Sequence, residues 1–381
     1  MKKIIALGSG MVGSAIAIDL AKNHHVTISD INQNTLNKIQ EKNTELNVLC
    51  IDVTNETELK NAINTFDLVV CAVPGFLGYR TLKYIIEAKK DVVDISFFPE
   101  DALTLDALAK QNGITAIVDC GVAPGMGNII LGHYNEQLKI SDFECLVGGL
   151  PKTKKWPFNY KAPFSPVDVI EEYTRPARYV ENGKVITREA LSDVELVEFK
   201  KIGTLESFNS DGLRSLIFTM AHIPNMKEKT LRYPGHVEYI NVLKESGFFD
   251  QKSIEINGIP ISPLEFTSKI LFKKWHLEET EEELTIMKIS ITGINSNGKT
   301  EEIVYHLYDE YNNATQTSSM ARTTGYTATA AVNLIIKNLF IEKGVFPPEL
   351  VGKHKECFDF VINYLKDRNI IYKKGTTIIN G

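Results

Sequence analysis

The feature that most constrains this chain is a glycine-spaced turn close to its start. Gly8-Ser9-Gly10-Met11-Val12-Gly13 follows an apolar run at residues 3–7 and opens a helical pattern at residues 12–23. Gly8 permits a tight turn, Gly10 lets backbone approach a pyrophosphate, and Gly13 lets helix and strand pack closely. Phosphates would then sit on the free N–H groups at the positive end of the helix. An acidic residue about twenty positions on, Asp30, closes the second apolar run. Its carboxylate is placed to accept from both ribose hydroxyls of NAD and to repel the 2′-phosphate of NADP. Ile31 and Asn32 follow, with no Arg to absorb that charge. The expected cofactor is therefore NAD.

The surrounding pattern supports a doubly wound sheet. Apolar runs at residues 3–7, 26–29, 47–50, 68–72, 91–95 and 114–118 alternate with helical patterns at 12–23, 34–41, 56–63, 77–88 and 101–111. Continuous apolar strands separated by amphipathic helices form a parallel sheet covered on both faces. Ligands of such sheets bind beyond the carboxyl ends of the strands. Those ends hold Asp52 and Val53, then Val73 and Pro74, then Asp94 and Ser96, then Asp119 and Cys120. Asp52 is placed for the adenine amine, and Val73 and Pro74 for the nicotinamide ribose. Each is also an ordinary turn residue when taken alone.

After Pro124-Gly125 the rhythm changes. Asn182-Gly183, Asn257-Gly258 and Asn297-Gly298 each separate two strand-like runs. Asn-Gly suits the positive φ angles of a type I′ turn, so these are hairpin signals. Met287, Ile289 and Ile291 alternate with polar residues and match Ile303, Tyr305 and Leu307 across the third turn. An α+β domain with a mostly antiparallel sheet is expected at residues 125–324. From Ser318 small and apolar residues recur at helical spacing, so residues 325–381 are expected to complete the first domain, residues 1–124.

Composition excludes several classes. The 381 residues are 43% hydrophobic and 24% charged, as in ordinary globular proteins, and carry a net charge of −6. An acidic balance argues against nucleic-acid partners, whose affinity comes from phosphate neutralisation. Residues 1–18 resemble a signal peptide superficially, but the glycine spacing explains them better. No apolar run is long enough for a bilayer, so no membrane partner is expected. Five scattered cysteines without a Cys-x-x-Cys pair, and no cluster with metal-ligand spacing, point to a reducing cytoplasm and to no metal.

Four strings carry a family resemblance: Asp119-Cys120-Gly121-Val122-Ala123-Pro124-Gly125, Val147-Gly148-Gly149-Leu150-Pro151, Lys229-Thr230-Leu231-Arg232-Tyr233-Pro234-Gly235-His236 and Ala321-Arg322-Thr323-Thr324-Gly325. They resemble the saccharopine dehydrogenase-related family, nearest its L-lysine 6-dehydrogenase branch, over residues 1 to about 349. The resemblance implies a Rossmann domain, an α/β substrate domain, a homodimer, and nicotinamide-dependent chemistry on amino-acid C–N bonds. The branch implies oxidative deamination of the lysine ε-amine to a semialdehyde. Around residues 208–214 the Asn-Arg-Asp string of saccharopine-forming relatives is missing, and Asp211 and Arg214 stand there instead.

Such chemistry requires a base near neutrality and a cationic clamp for the amino acid's carboxylate. Arg232, beside Tyr233, has the best claim as clamp, followed by Arg214, Arg175 and Arg322. The competing reading for each is a structural ion pair. His236 is the first candidate base because histidine titrates near neutrality, against the reading of a satisfied core histidine. Asp94 and Asp119 qualify if burial raises their pKa, and otherwise cap loops. Two alternatives accompany amine oxidation: reductive condensation of an aldehyde with an amino acid, of the saccharopine or carboxynorspermidine type, and a non-catalytic NAD-binding sensor.

Overall fold

The structure, a computed structural model, describes residues 1–163, 166–278 and 280–379. Two compact units emerge. The first comprises Met1–Ile140, Ile294–Lys299 and Met320–Tyr372, and the second Ser141–Gly293, Thr300–Ser319 and Lys373–Gly381.

In the first unit, β1 (Lys3–Leu7) runs through the glycine turn into α1 (Met11–Ala21) and returns as β2 (His25–Asp30). Then come β3 (Asn47–Cys50), β4 (Leu68–Cys71), β5 (Asp91–Asp94) and β6 (Thr115–Ile117), with helices between successive strands. A short seventh strand, Gly344–Phe346, pairs parallel with β6. The sheet order β3-β2-β1-β4-β5-β6, followed by that seventh strand, reverses direction between β1 and β4. That switch point opens the crevice in which doubly wound sheets hold ligands. All four residues of β4 are buried, as a strand covered on both faces requires. Leu82, Ile85 and Ile86 come from the helix Gly75–Glu87 at helical spacing and pack on the same core as Val69 and Val92.

The second unit is built on a nine-stranded mixed sheet. Its interior strand Asn225–Arg232 pairs antiparallel with Gly203–Asn209 and parallel with Leu138–Pro151. Along Glu283–Asn295, Met287, Ile289 and Ile291 are buried while the residues between them are less so, which is the period of two the sequence carries. Two Asn-Gly turns adopt the expected left-handed pairs, Asn182 and Gly183 (φ +51° and +75°) and Asn257 and Gly258 (φ +51° and +78°). The third differs. Only Gly298 is left-handed there (φ +76°), because the Asn295 side chain accepts from the N–H groups of Asn297 and Lys299 and holds a longer loop.

The division departs from the expected boundaries at four places, one of them Ile294–Lys299, which falls in the first unit. Residues 125–140, including the helix Met126–Asn135, and residues 320–324 belong to the first unit. Lys373–Ile379 is a strand of the second sheet, paired antiparallel with Thr300–Glu310. The long helix Ser319–Ile336 forms where helical spacing predicts it. Among the described residues no helix is long and apolar enough to cross a membrane.

Candidate active site

In the first unit the glycine turn has the geometry its spacing implies. Gly8 is left-handed (φ +101°), and a Cβ there would lie 2.4 Å from the Ala72 carbonyl oxygen. A Cβ on Gly13 would lie 2.1 Å from the Gly8 carbonyl oxygen, so no side chain fits. Gly10 is different, since a Cβ there would meet nothing within 4 Å. Gly10 is also the N-cap of α1 and supplies no side-chain hydrogen bond, so the first-turn N–H groups at Met11, Val12 and Gly13 have no partner within the helix. A dinucleotide's pyrophosphate fits that opening. Asp30 is held beside it: Oδ2 accepts from the Ser9 N–H at 2.9 Å and the Ser9 hydroxyl at 2.7 Å, and Oδ1 from the Asn32 N–H at 2.9 Å. The carboxylate is thereby oriented in advance at the end of β2, where a ribose is held in such folds.

Other crevice residues take more local roles. Asp52 Oδ1 accepts from the Thr54 N–H at 2.8 Å, and Thr54 holds this carboxyl below its usual range. Val53 packs at the edge of the core, Val73 is buried, and Pro74 is exposed where it caps the next helix. Ser96, expected to line the cofactor, is buried and donates its N–H to Asp94 Oδ1 at 2.9 Å.

The ends of β4, β5 and β6 bring together Cys71, Asp94, Asp119 and Cys120. Asp94 is 0% exposed and Asp119 6%. Burial pushes the Asp94 carboxyl up to about 7, and the nearby Asp119 adds to this against the pull of Cys71 and Ser96. Burial pushes the Cys120 thiol up to about 12, so it stays protonated and is not a nucleophile. Asp119 has left-handed backbone (φ +52°), which costs a non-glycine residue about 1–3 kcal/mol and is typical of functional turns. The next loop is fixed from a distance: Asn128 accepts from the Gly125 N–H at 3.1 Å and donates to the fully buried Glu349 at 2.9 Å. Arg322 also lies in this unit, its Nη2 donating to the Arg368 carbonyl at 3.0 Å.

The second unit revises two assignments. His236 is buried among Phe158, Tyr160, Tyr173 and Trp275. Its Nε2 lies 2.8 Å from the Tyr173 hydroxyl and its Nδ1 2.9 Å from the Phe158 carbonyl oxygen. Desolvation and the adjacent Arg232 push its pKa down to about 3, so the imidazole is a neutral core group and not the base. Arg232, expected as the clamp, is also in the core. It donates from Nε to the Tyr173 hydroxyl (3.2 Å), from Nη1 to the Leu231 carbonyl (3.0 Å) and from Nη2 to Glu172 (3.0 Å) and the Tyr160 hydroxyl (3.4 Å). All of these partners are internal, the arrangement of a structural ion pair.

The remaining candidates of this unit are spread out. Tyr233 donates its hydroxyl to the Pro151 carbonyl at 3.0 Å, and Arg175 pairs with Glu171 one helical turn away. Arg214 is buried with left-handed backbone (φ +48°). Asp211 pairs in two-pronged fashion with Arg178, Nε and Nη2 donating at 2.9 and 2.8 Å. Sequence reasoning missed Glu172, Tyr173, Asn128 and Glu349, whose distant partners lie 59 or more residues away and which no local string marks.

The first unit thus defines a class, a dinucleotide-binding Rossmann unit with a buried acidic pair at its strand ends. Residues 4–117 match the saccharopine dehydrogenase NADP binding domain, and residues 121–371 the saccharopine dehydrogenase C-terminal domain. The chain belongs to the saccharopine dehydrogenase family. It is 25% identical over 268 residues to the mitochondrial alpha-aminoadipic semialdehyde synthase of Mus musculus, a match spanning 66% of this chain but 29% of that protein. It is 26% identical over 280 residues to the NADP(+), L-glutamate-forming saccharopine dehydrogenase of Saccharomyces cerevisiae, spanning 68% of this chain and 61% of the yeast enzyme. The apo structure of the histidine-tagged L-Glu-forming saccharopine dehydrogenase from Saccharomyces cerevisiae shares the fold, with a TM-score of 0.81 and 20% identity over 99% of this chain and 100% of that one.

Proposed function

We propose that this protein is an NAD-dependent oxidoreductase acting on the C–N bond of an amino acid, and that it oxidatively deaminates the ε-amine of L-lysine or a similar diamino acid to a semialdehyde. The observation that carries the reading is Asp30, oriented by Ser9 and Asn32 beside an open glycine turn in a chain of this family. The nicotinamide supplies hydride acceptance, and the chain supplies position. The α1 N-terminus holds the pyrophosphate and Asp30 the ribose hydroxyls. Although the family's domain is named for NADP, a 2′-phosphate about 4 Å from the Asp30 carboxylate would be repelled by about 4 kcal/mol at an effective dielectric of about 20. The absence of the saccharopine-forming string at residues 208–214 supports a simple diamino acid as substrate. The five free cysteines fit a reducing, cytoplasmic setting, and the family resemblance supports a homodimer.

A second reading, reductive condensation of an aldehyde with an amino acid, is favoured by the relatives, which include saccharopine dehydrogenases. Fluorescence titration with NADH and NADPH tests the cofactor half of the proposal. The wild-type protein should prefer NADH by at least tenfold, and Asp30→Ala should weaken NADH binding and narrow that gap. An unchanged NADH/NADPH ratio in Asp30→Ala would remove the basis of the reading.

A further inference from the structure

The second unit carries a projecting arm. The strands Ile254–Ile256 and Ile259–Ile261, joined by the Asn257-Gly258 turn, form a two-stranded sheet of their own. Their register sets Ile254 opposite Ile261 and Ile256 opposite Ile259, so four isoleucines make one face of the hairpin and Glu255 and Pro260 the other. Residues 251–260 are exposed throughout, with Ile254, Ile256 and Ile259 at 53%, 46% and 62%. A lone two-stranded hairpin is marginal in water. This one is closed at its base, where the Leu264 N–H donates to the Asp250 carbonyl at 3.0 Å. The helices before and after it, His236–Glu245 and Pro263–Trp275, bury Val237, Ile240, Leu271 and Trp275 in one core cluster. Each turns a second stripe away from that core at the same i, i+3, i+4, i+7 spacing. On the first helix the stripe is Glu238, Asn241, Val242 and Glu245, and on the second it is Phe266, Lys269, Ile270 and Lys273. Val242, Phe266 and Ile270 are 60%, 56% and 49% exposed. Among the described residues, Glu238, Glu245, Lys269 and Lys273 form no ion pair. The acidic stripe also borders a groove of about 530 Å³ that Val194, Glu206 and Val237 help to line. Eight of the 22 large hydrophobic side chains exposed among the described residues fall within residues 239–270, a concentration that marks an interaction surface.

We propose that this surface binds a second copy of the same chain, the isoleucine face of each arm covering apolar side chains of the other copy and the acidic helix of each copy meeting the basic helix of the other. Charge complementarity selects that occupant. One chain carries both an apolar stripe flanked by glutamates and an apolar stripe flanked by lysines, so two copies satisfy each other without a third component. A two-fold axis makes the contact twice, since in an isologous interface residue i meets j and j meets i. Burial of the isoleucines supplies the apolar area. The charges set the register and disfavour a helix against its own counterpart, where like charges would face each other. The groove beside Glu238 and Val242 offers a concave seat for the Phe266 and Ile270 side chains of the other copy. This surface locates the homodimer proposed above and stands independently of the amine-oxidation reading.

Sedimentation equilibrium of the full chain at micromolar concentration tests it, and should report twice the 42.7 kDa chain mass. Ile256→Asp with Ile259→Asp puts two carboxylates on the apolar face of the arm and should weaken dimerisation by at least about a hundredfold. Glu238→Lys with Glu245→Lys should give a monomer, and so should Lys269→Glu with Lys273→Glu, because each pair sets like charges against each other at both halves of the interface. An equimolar mixture of these two charge variants should recover the dimer, since lysine then faces glutamate at both halves. Emission from Trp275, buried on the same helix as Lys269, reports that the second unit of each variant is folded. A monomeric wild type, a dimer that survives the folded arm variant or either charge pair, or a mixture that stays monomeric overturns the proposal. Should the arm variant not fold, the charge variants and their mixture decide alone.

Discussion

Arg232→Ala separates the role of a core strut from that of a substrate clamp. The guanidinium carries Glu172 at 3.0 Å, stands over the Tyr160 ring at 4.4 Å, and is tied to Tyr173, which in turn meets His236. Removing one member of a buried ion pair costs about 3–5 kcal/mol, because the other charge is left uncompensated. The Glu172 side chain keeps 22% exposure, so water relieves part of that cost. Loss of the stacking on Tyr160 adds about 1 kcal/mol. The expected destabilisation is about 3–4 kcal/mol by these magnitudes. Urea unfolding followed through Trp275 measures it. That indole is fully buried against Tyr160 and Tyr173, whereas the other tryptophan, Trp156, is 83% exposed and can be replaced by Phe for a clean signal. A double-mutant cycle with Arg232→Met and Glu172→Gln should show a coupling of about 1–3 kcal/mol. If Arg232→Ala unfolds within about 0.5 kcal/mol of wild type yet loses kcat/KM on amino acids, the strut assignment is wrong and the guanidinium is a clamp.

Gly10→Ala and Gly13→Ala should part company. The first has open space around its Cβ, so it should keep its melting temperature and lose NADH affinity, whereas the second meets the Gly8 carbonyl oxygen at 2.1 Å and should cost about 1–3 kcal/mol of stability. Calorimetry with and without NADH checks both, and full NADH affinity in Gly10→Ala would move the pyrophosphate elsewhere. His236 should give stability a pH slope. Its pKa falls from 6.5 to about 3 on folding, so the unfolded chain binds a proton that the folded one refuses, and stability is lost as pH drops through that window. That contribution is at most about 1.4 kcal/mol per pH unit and is opposed over much the same window by Asp94, whose carboxyl rises to about 7 on folding, so the difference between wild type and His236→Phe in urea midpoints from pH 4 to pH 8 isolates it.

The first unit was legible because its signals are local. The strand β1, the glycine turn and Asp30 lie within one βαβ unit, and the apolar runs fall within two residues of the observed strands. The acidic pair at Asp94 and Asp119 was legible as position, since strand ends are where such sheets do chemistry. Burial then decided what position left open. His236 and Arg232 sit in a string that resembles a functional one, but their surroundings come from Phe158, Tyr160, Glu172 and Tyr173, which lie 59 to 78 residues earlier. No period or spacing relates segments that far apart. The same holds for Asn128 and Glu349, 221 residues apart, and for Lys373–Ile379, whose charged and hydroxyl-bearing start hides a strand that only pairing with Thr300–Glu310 creates.

The most direct test of the account is a screen for reduced cofactor over the common amino acids and diamines at alkaline pH, with NAD and NADP in parallel. The account predicts NADH formation with L-lysine or another diamino acid, and slower reduction of NADP by the same substrate. Absence of turnover on every amino acid and diamine, or turnover only when an aldehyde and an amino acid are supplied together with NADPH, would contradict it.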